Sequence, residues 1–408
     1  MRTKILLAAL LALHPVMTAA QELESIAGVR LNFDRAGTRA LGMGATGIAT
    51  KSSDDVTMNP ASIAGAEKSL SLELSRNTME SRYVSDKDLH TVGLDSTATG
   101  LHNVSLTYPM AGWTWALFYE EPIEVDHSTR PAFVNGSSAG LLVCDGHLVP
   151  ANACNGPEVY FNLPATFPID SKLSLQRYGA AAAWSRGPVA FGAALRREHL
   201  RQDAVNVFTL PLLFFTYPGP SETTDDSAYT WSAGLTWDVT PRTRAGASYS
   251  SGGSFTGART APESSDRPIE FRTPPTAGFG LSFDPIPQLT LAADVVRVQY
   301  SAMMHGGRNF VLPDTQIGYP DVTEWHAGAE YRLGTVSLRA GWWRDPDHAL
   351  SVSSGPLLPP LQYVAAIVHS DEDHLTAGLG IGGKTRLDAS VDRSARSTRL
   401  ALGVSTKF

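Results

Sequence analysis

Long apolar runs are missing from this 408-residue chain. The longest, Ile5–Leu13, holds nine residues, where a membrane-spanning helix needs about 18 or more. A bundle of membrane helices is thereby excluded. Charge is also scarce, at 18% of residues against about 25% in ordinary soluble proteins. With only two cysteines, no disulfide framework substitutes for a core. The net charge of −7 has the wrong sign for a dedicated nucleic-acid binder, so no nucleic-acid partner is expected. One shortage is absent: 15 Phe, 12 Tyr and 8 Trp are too many for a disordered chain. What remains is a β-rich protein, either soluble or a membrane barrel, whose apolar residues are spread out by alternation.

The N-terminus reads as a secretory signal peptide. Arg2 and Lys4 precede the apolar Ile5–Leu13, and Thr18, Ala19 and Ala20 form a small-residue cleavage site before Gln21. Residues 1–20 are set aside on this reading. Losing Arg2 and Lys4 takes the net charge from −7 to −9. No cysteine follows the cleavage site, so a lipoprotein is not expected. Export permits disulfides, and Cys144 and Cys154, ten apart in a polar stretch rich in Gly and Pro, read as one loop disulfide. His147 beside them does not complete a metal ligand set, and no metal is expected.

Period two dominates the rest of the chain. Leu400, Leu402, Val404 and Phe408 alternate with Arg399, Ala401, Gly403, Ser405 and Lys407. Trp325, Ala327, Ala329, Tyr331 and Leu333 alternate with His326, Gly328, Glu330 and Arg332. Fourteen such segments lie near 67–77, 101–109, 113–121, 174–185, 188–198, 228–238, 242–251, 275–284, 288–300, 322–332, 335–345, 373–381, 384–392 and 398–408. Short connections such as 109–112, 185–187 and 333–334 alternate with long ones at 78–100, 122–173, 199–227, 252–274, 301–321 and 346–372. Short turns on one side and long loops on the other mark an outer-membrane barrel. The expected fold is all-β: a transmembrane antiparallel β-barrel of about 14 strands over residues 67–408, in a Gram-negative outer membrane. Its surroundings would be membrane lipid and lipopolysaccharide. Phe408, in the lipid-facing register, fits the terminal signature that barrel-assembly machinery reads.

Residues 21–66 carry little alternation but many apolar residues, among them Leu31, Phe33, Leu41, Met43, Ile48, Val56 and Ile63. Packing is expected over disorder. Gly42–Gly47 matches GxGxxG, but no apolar strand run precedes it and the chain is exported. No cofactor is expected. Gly42 and Gly44 read instead as positions of tight backbone packing inside a barrel.

The run Arg35–Gly44, followed by Ser53-Asp54-Asp55 and Met58-Asn59-Pro60-Ala61, resembles the N-terminal hatch of the FadL/TodX family of outer-membrane transporters for hydrophobic molecules. The hairpin at 233–249, with Asp238–Arg244, and the segments 275–300 and 324–347 resemble the family as well. The resemblance implies a plug over residues 21–66 and passive uptake of a hydrophobic small molecule, a fatty acid or hydrocarbon. It also implies a lateral opening made by a kinked early strand. Asn59, Pro60 and Ala61 would then sit in the hatch. The 122–173 loop with its cysteines has no counterpart in the family pattern, and substrate identity does not carry over.

Other candidates follow from the residues themselves. Asp54 and Asp55 read either as solvated carboxylates or as anchors to lumen cations, Arg196, Arg244 or Arg339. Val207–Tyr217 is the most apolar stretch beyond the signal peptide and falls in an expected external loop, where Pro211 disfavours regular structure. Phe208, Leu210, Leu212, Leu213, Phe214 and Phe215 are the candidate capture groove. In 288–300 the apolar residues change faces at Val295–Val296, which reads as a bulge. Glu324 and His326 share a lumen face with no placeable nucleophile, so they read as lumen polar groups and no enzyme is expected. The rival classes are a general porin, an adhesion barrel and, further off, an outer-membrane lipase.

Overall fold

The strands form where the period-two segments lie. The computed structural model describes residues 31–33, 36–84, 91–128, 133–134, 141–144, 147–149, 158–161, 165–166, 169–210, 215–261, 264–303, 316–354 and 369–408. The expected signal peptide, residues 1–20, lies outside them. The barrel strands are β1 (Ser69–Val84), β2 (Thr91–Met110), β3 (Trp113–Ser128), β4 (Ile169–Arg186), β5 (Val189–Leu210), β6 (Phe215–Thr240) and β7 (Thr243–Ser250). They continue with β8 (Thr276–Ile286), β9 (Leu289–Val298), β10 (Val322–Leu333), β11 (Val336–Asp345), β12 (Glu372–Gly382), β13 (Thr385–Arg393) and β14 (Ser397–Lys407). Each pairs antiparallel with the next. β14 returns to β1, from Ser69↔Lys407 to Met79↔Ser397, so the sheet has no edge for lipid to meet.

Side chains sort as the alternation demands. On β14, Leu400, Leu402 and Val404 are exposed on the outer wall and Ala401 is buried. On β10, Trp325, Tyr331 and Leu333 point out while Glu324, His326 and Glu330 point in. Tyr229 and Trp237 on β6 are both exposed outward. At about 3.3 Å per residue and a tilt of about 40°, their separation corresponds to about 20 Å of apolar band between aromatic rings. The short turns need left-handed residues: Ala111 (φ 51°) and Gly112 (φ 80°) join β2 to β3, and Gly334 (φ 60°) lies in the turn from β10 to β11.

Three expectations change. First, the outer ends of several strands run far past the alternating segments. β1 and β2 pair up to Val84↔Thr91, and β5 and β6 up to Leu210↔Phe215, where the alternation predicts loops at 78–100 and 199–227. Backbone pairing continues there without the alternation, the residues being polar on both faces at Thr223–Asp226 and largely apolar at Val207–Leu210, so the period ends before the strand does. Second, the 252–274 connection is a hairpin, Ser254–Ala261 with Ser264–Arg272, whose first strand also pairs with β6 at Thr223↔Ala258. Third, β9 has no bulge at Val295–Val296. Its ladders to β8 and β10 are unbroken there. Residues 290, 292, 294, 296 and 298 share the inner face throughout; the apolar residues switch faces because the inner wall itself becomes apolar toward the outer mouth.

Residues 36–66 pack inside the cylinder. A short helix (Thr38–Leu41) and two 3₁₀ turns (Ser53–Asp55, Pro60–Ile63) give them shape. Leu41, Met43, Ile48, Val56 and Ile63 are buried to 2% exposure or less.

Candidate functional site

The inner wall holds the N-terminal segment by backbone proximity and by charge. A methyl group on Gly341 would lie 2.1 Å from the Gly44 nitrogen, and one on Gly234 would lie 1.9 Å from Asn59 Oδ1. These wall positions lack side chains because the segment's backbone occupies that space. Asp294 of β9 accepts hydrogen bonds from the Gly47 and Ile48 amides at 2.7 and 3.0 Å. Thr376 accepts from the Gly44 amide, and His326 Nδ1 lies 2.9 Å from the Gly44 carbonyl. Arg39 grips Glu330 at 3.1 and 3.3 Å. Arg339 binds the same carboxylate at 2.8 Å and Asp388 at 2.7 Å.

The sequence-derived residues fall as follows. Asn59 donates to the Ile48 carbonyl at 2.6 Å and to Leu235 O of the wall, and its Oδ1 caps the Pro60–Ile63 turn at the Ala61 amide. Pro60 opens that turn, where its missing N–H costs nothing. Gly42 packs against Gly378. Asp55 is held by Thr50 and by Arg39 at 3.7 Å. The expected lumen cations have other partners. Arg196 donates to Ser250 and the Trp231 carbonyl, Arg244 to Asp238 and Ala49 O, and Arg339 to Glu330 and Asp388. Phe208, Leu210 and Phe215 belong to the paired ends of β5 and β6, with Phe208 opposite Tyr217. Leu212, Leu213 and Phe214 lie outside the described residues. Cys144 ends a short strand paired with Glu158–Phe161, while Cys154 lies outside the described residues. His326 is 3.5 Å from Glu324 and spends its other nitrogen on Gly44.

Burial raises the Asp55 carboxyl to about 7, against the opposing pull of Arg39 and Thr50. Between its ordinary 3.8 and about 7, the packed chain holds a proton that the unpacked chain has released. Packing of the segment therefore weakens as pH rises through that window. Hydrogen exchange of the 38–63 amides, corrected for intrinsic rates, should show less protection at pH 8 than at pH 5. Asp55→Asn should flatten the difference; an equal pH dependence in that variant would refute the assignment.

Toward the outer mouth the inner wall becomes apolar. Ile123, Val125, Leu173, Leu175, Leu200 and Val298 form one buried cluster with Phe255 and Phe271 of the extra hairpin. Leu31 and Phe33 of the N-terminal segment lie in the same cluster. His348 steadies them: it stacks on Tyr300 at 4.1 Å and 3°, and its Nε2 lies 3.2 Å from the Leu31 carbonyl.

Two cavities lie nearby, and the smaller adjoins this cluster. One, with about 640 Å³ of empty space, is lined by Phe33, Ile48, Val296, Val298, Tyr300 and Trp343 among others. The other, about 970 Å³, runs from Trp343 and His374 across to Gly100, His102, Glu121 and Pro122. Trp343 lines both. It is stacked between His326 at 5.5 Å and His374 at 3.8 Å, and its Nε1 donates to Asp392 at 3.1 Å.

The larger cavity ends where the wall is incomplete. β2 and β3 pair from Met110↔Trp113 to Asn103↔Glu120, then not again until Ser96↔His127. On its other side β3 shifts register between Glu120 and Ile123. Pro122 has no N–H for a ladder. The interruption begins two residues beyond Tyr119, which packs on Tyr178 on the outer surface. Sequence reasoning missed His102, Trp343, Tyr300 and His348. Pro122 inside a strand, and Val296 and Val298 on the inner face, were the available signals.

No family model matches the sequence, and no curated protein matches it. Solved structures do. The toluene transporter TbuX of Ralstonia pickettii superposes with a TM-score of 0.60 at 15% identity, over 93% of this chain and 100% of that one. A FadL homologue of Pseudomonas aeruginosa gives 0.62 at 12%, over 91% and 97%. The monoaromatic hydrocarbon channel CymD gives 0.56 at 15%, over 93% and 99%. The chain thus has the fold of FadL/TodX-type channels.

Proposed function

We propose that this barrel, built on the fold shared by toluene and monoaromatic hydrocarbon channels, is an outer-membrane protein for passive uptake of hydrophobic small molecules. Aromatic or aliphatic hydrocarbons and fatty acids are the candidate substrates. The observation that carries the reading is a route that leaves the barrel sideways. The cavity beside the apolar cluster shares Trp343 with a second cavity, lined largely by polar and charged residues, that ends at the unpaired stretch between β2 and β3. The straight route to the other side is filled by residues 36–66, the hatch. In this reading Phe208, Leu210, Leu212, Leu213, Phe214 and Phe215 gather substrate. Substrate displaces Leu31 and Phe33 from the apolar cluster, for it offers the same burial. It then leaves at the level of Tyr119 and Tyr178 into lipid. Burial of apolar surface supplies the driving force and no energy source is required.

Two measurements test this. Mass spectrometry of the purified barrel should find co-purifying hydrophobic molecules. Vesicles containing it should take up such a molecule yet fail to swell in small sugars. Swelling at a porin-like rate, with no hydrophobic uptake, would overturn the proposal in favour of a general porin.

A further inference from the structure

The gap between β2 and β3 is spanned by a side chain. His102 of β2 is buried at 5% exposure. Its Nδ1 lies 3.2 Å from the Glu121 backbone carbonyl of β3, and its Nε2 lies 2.7 Å from Arg399 Nη2 of β14. A carbonyl only accepts and a guanidinium only donates. Nδ1 therefore carries the hydrogen, Nε2 offers its lone pair, and the ring is neutral. The bond to Glu121 falls just where the ladder stops, one residue past the Asn103↔Glu120 pair. Each rim is also held from behind. The Glu121 carboxylate is held on the β4 side by Ser174 at 2.7 Å and Gln176 at 3.3 Å. His102 is drawn through the lumen toward β14 by Arg399.

We infer that His102 is the bolt of this lateral window: a positioning residue whose Nδ1–H bond to Glu121 O sets how wide the rims part. The inference rests on the proposed uptake route. It makes the width of the exit, and hence the girth of the molecule that leaves, depend on a side-chain hydrogen bond where neighbouring strands use a full ladder.

The test compares uptake of pyrene, a broad probe, with hexadecane, a slim one, in cells producing the folded barrel at matched levels. His102→Ala should raise the pyrene-to-hexadecane ratio by about fivefold, the shift in an open–closed balance expected from losing one net hydrogen bond. His102→Asn keeps a donor near the Nδ1 position and should behave as the parent. His102→Gln keeps only the reach toward Arg399 and should behave as the alanine variant. If the alanine variant does not fold, the contrast between Asn and Gln decides the matter. A ratio unchanged in His102→Ala, or equal in Asn and Gln, overturns the bolt. If the parent takes up both probes but the ratio never moves, only the bolt fails; if the parent takes up neither, the uptake route fails with it.

Discussion

A barrel lacking residues 21–62 should conduct ions, where the intact protein should be nearly closed. The segment's backbone lies against glycines of the wall, Gly234 and Gly341 among them, and no side chain replaces it once it is gone. A bore of fourteen strands lies between the filled eight-stranded barrels and the water-filled 16–18-stranded porins. Conductance in a planar bilayer should rise by about tenfold or more over the intact chain, given that scaling of bore with strand number. The shortened barrel should still assemble, because the pairing of β1 with β14 does not involve the segment. Its losses are local. Asp294 gives up two amide donors, while Glu330 retains Arg339. Sugar-driven swelling should appear together with the conductance. A folded shortened barrel that conducts no better than its parent would mean that the segment does not seal the lumen.

Arg177→Ala should be among the most destabilising single substitutions in the barrel wall. The Arg177 guanidinium is 2% exposed and binds Glu198 at 2.9 Å and Glu120 at 3.0 Å, both equally enclosed. Glu198 also accepts from Thr230 and Thr273, so it cannot swing toward solvent. Removing the cation leaves two carboxylates side by side, with the buried Arg196 as the nearby positive charge. Breaking such a buried pair costs about 3–5 kcal/mol, of which Arg196 offsets a part. Urea unfolding of the barrel in lipid vesicles measures the loss. Arg177→Met combined with Glu198→Gln removes one cation and one anion together, leaves Glu120 to face Arg196, and should recover most of it. A loss below about 1 kcal/mol, the range of an exposed pair, would show that water reaches the triad.

The strands are legible because an apolar outer wall imposes a simple rule on one face. Leucines and tryptophans at every second position on β10 and β14 announce themselves whatever lies inward. Where the apolar band ends, as at Thr223–Asp226, the rule lapses and pairing goes on unannounced. The inner face follows no such period. Val296 and Val298 mimic a slip of register when every apolar residue is read as outward; they line a cavity instead. Ion pairing is legible in kind but not in partner. Asp55 does meet an arginine, but it is Arg39 of its own segment, sixteen residues away, and not one of the three wall arginines. Which guanidinium reaches which carboxylate depends on register around the cylinder, and alternation says nothing of that. A proline within a strand is a signal for the gap beside Pro122, but nothing in the sequence signals its bridging by a histidine nineteen residues before Glu121.

The seating of the N-terminal segment also dictates an order of events in assembly. Thr38 lies against Gly403 of β14, Gly44 between Ala327 of β10 and Trp342 of β11, Ile48 against Gly246 of β7, and Pro60 against Gly192 of β5. None of these surfaces is complete until the strands around it have paired. The segment that precedes every barrel strand in the chain is therefore among the last to find its partners. Its buried Leu41, Met43 and Ile63 stay uncovered until those strands have paired, so the demand for a chaperone during assembly falls on this segment as well as on the strands that follow it.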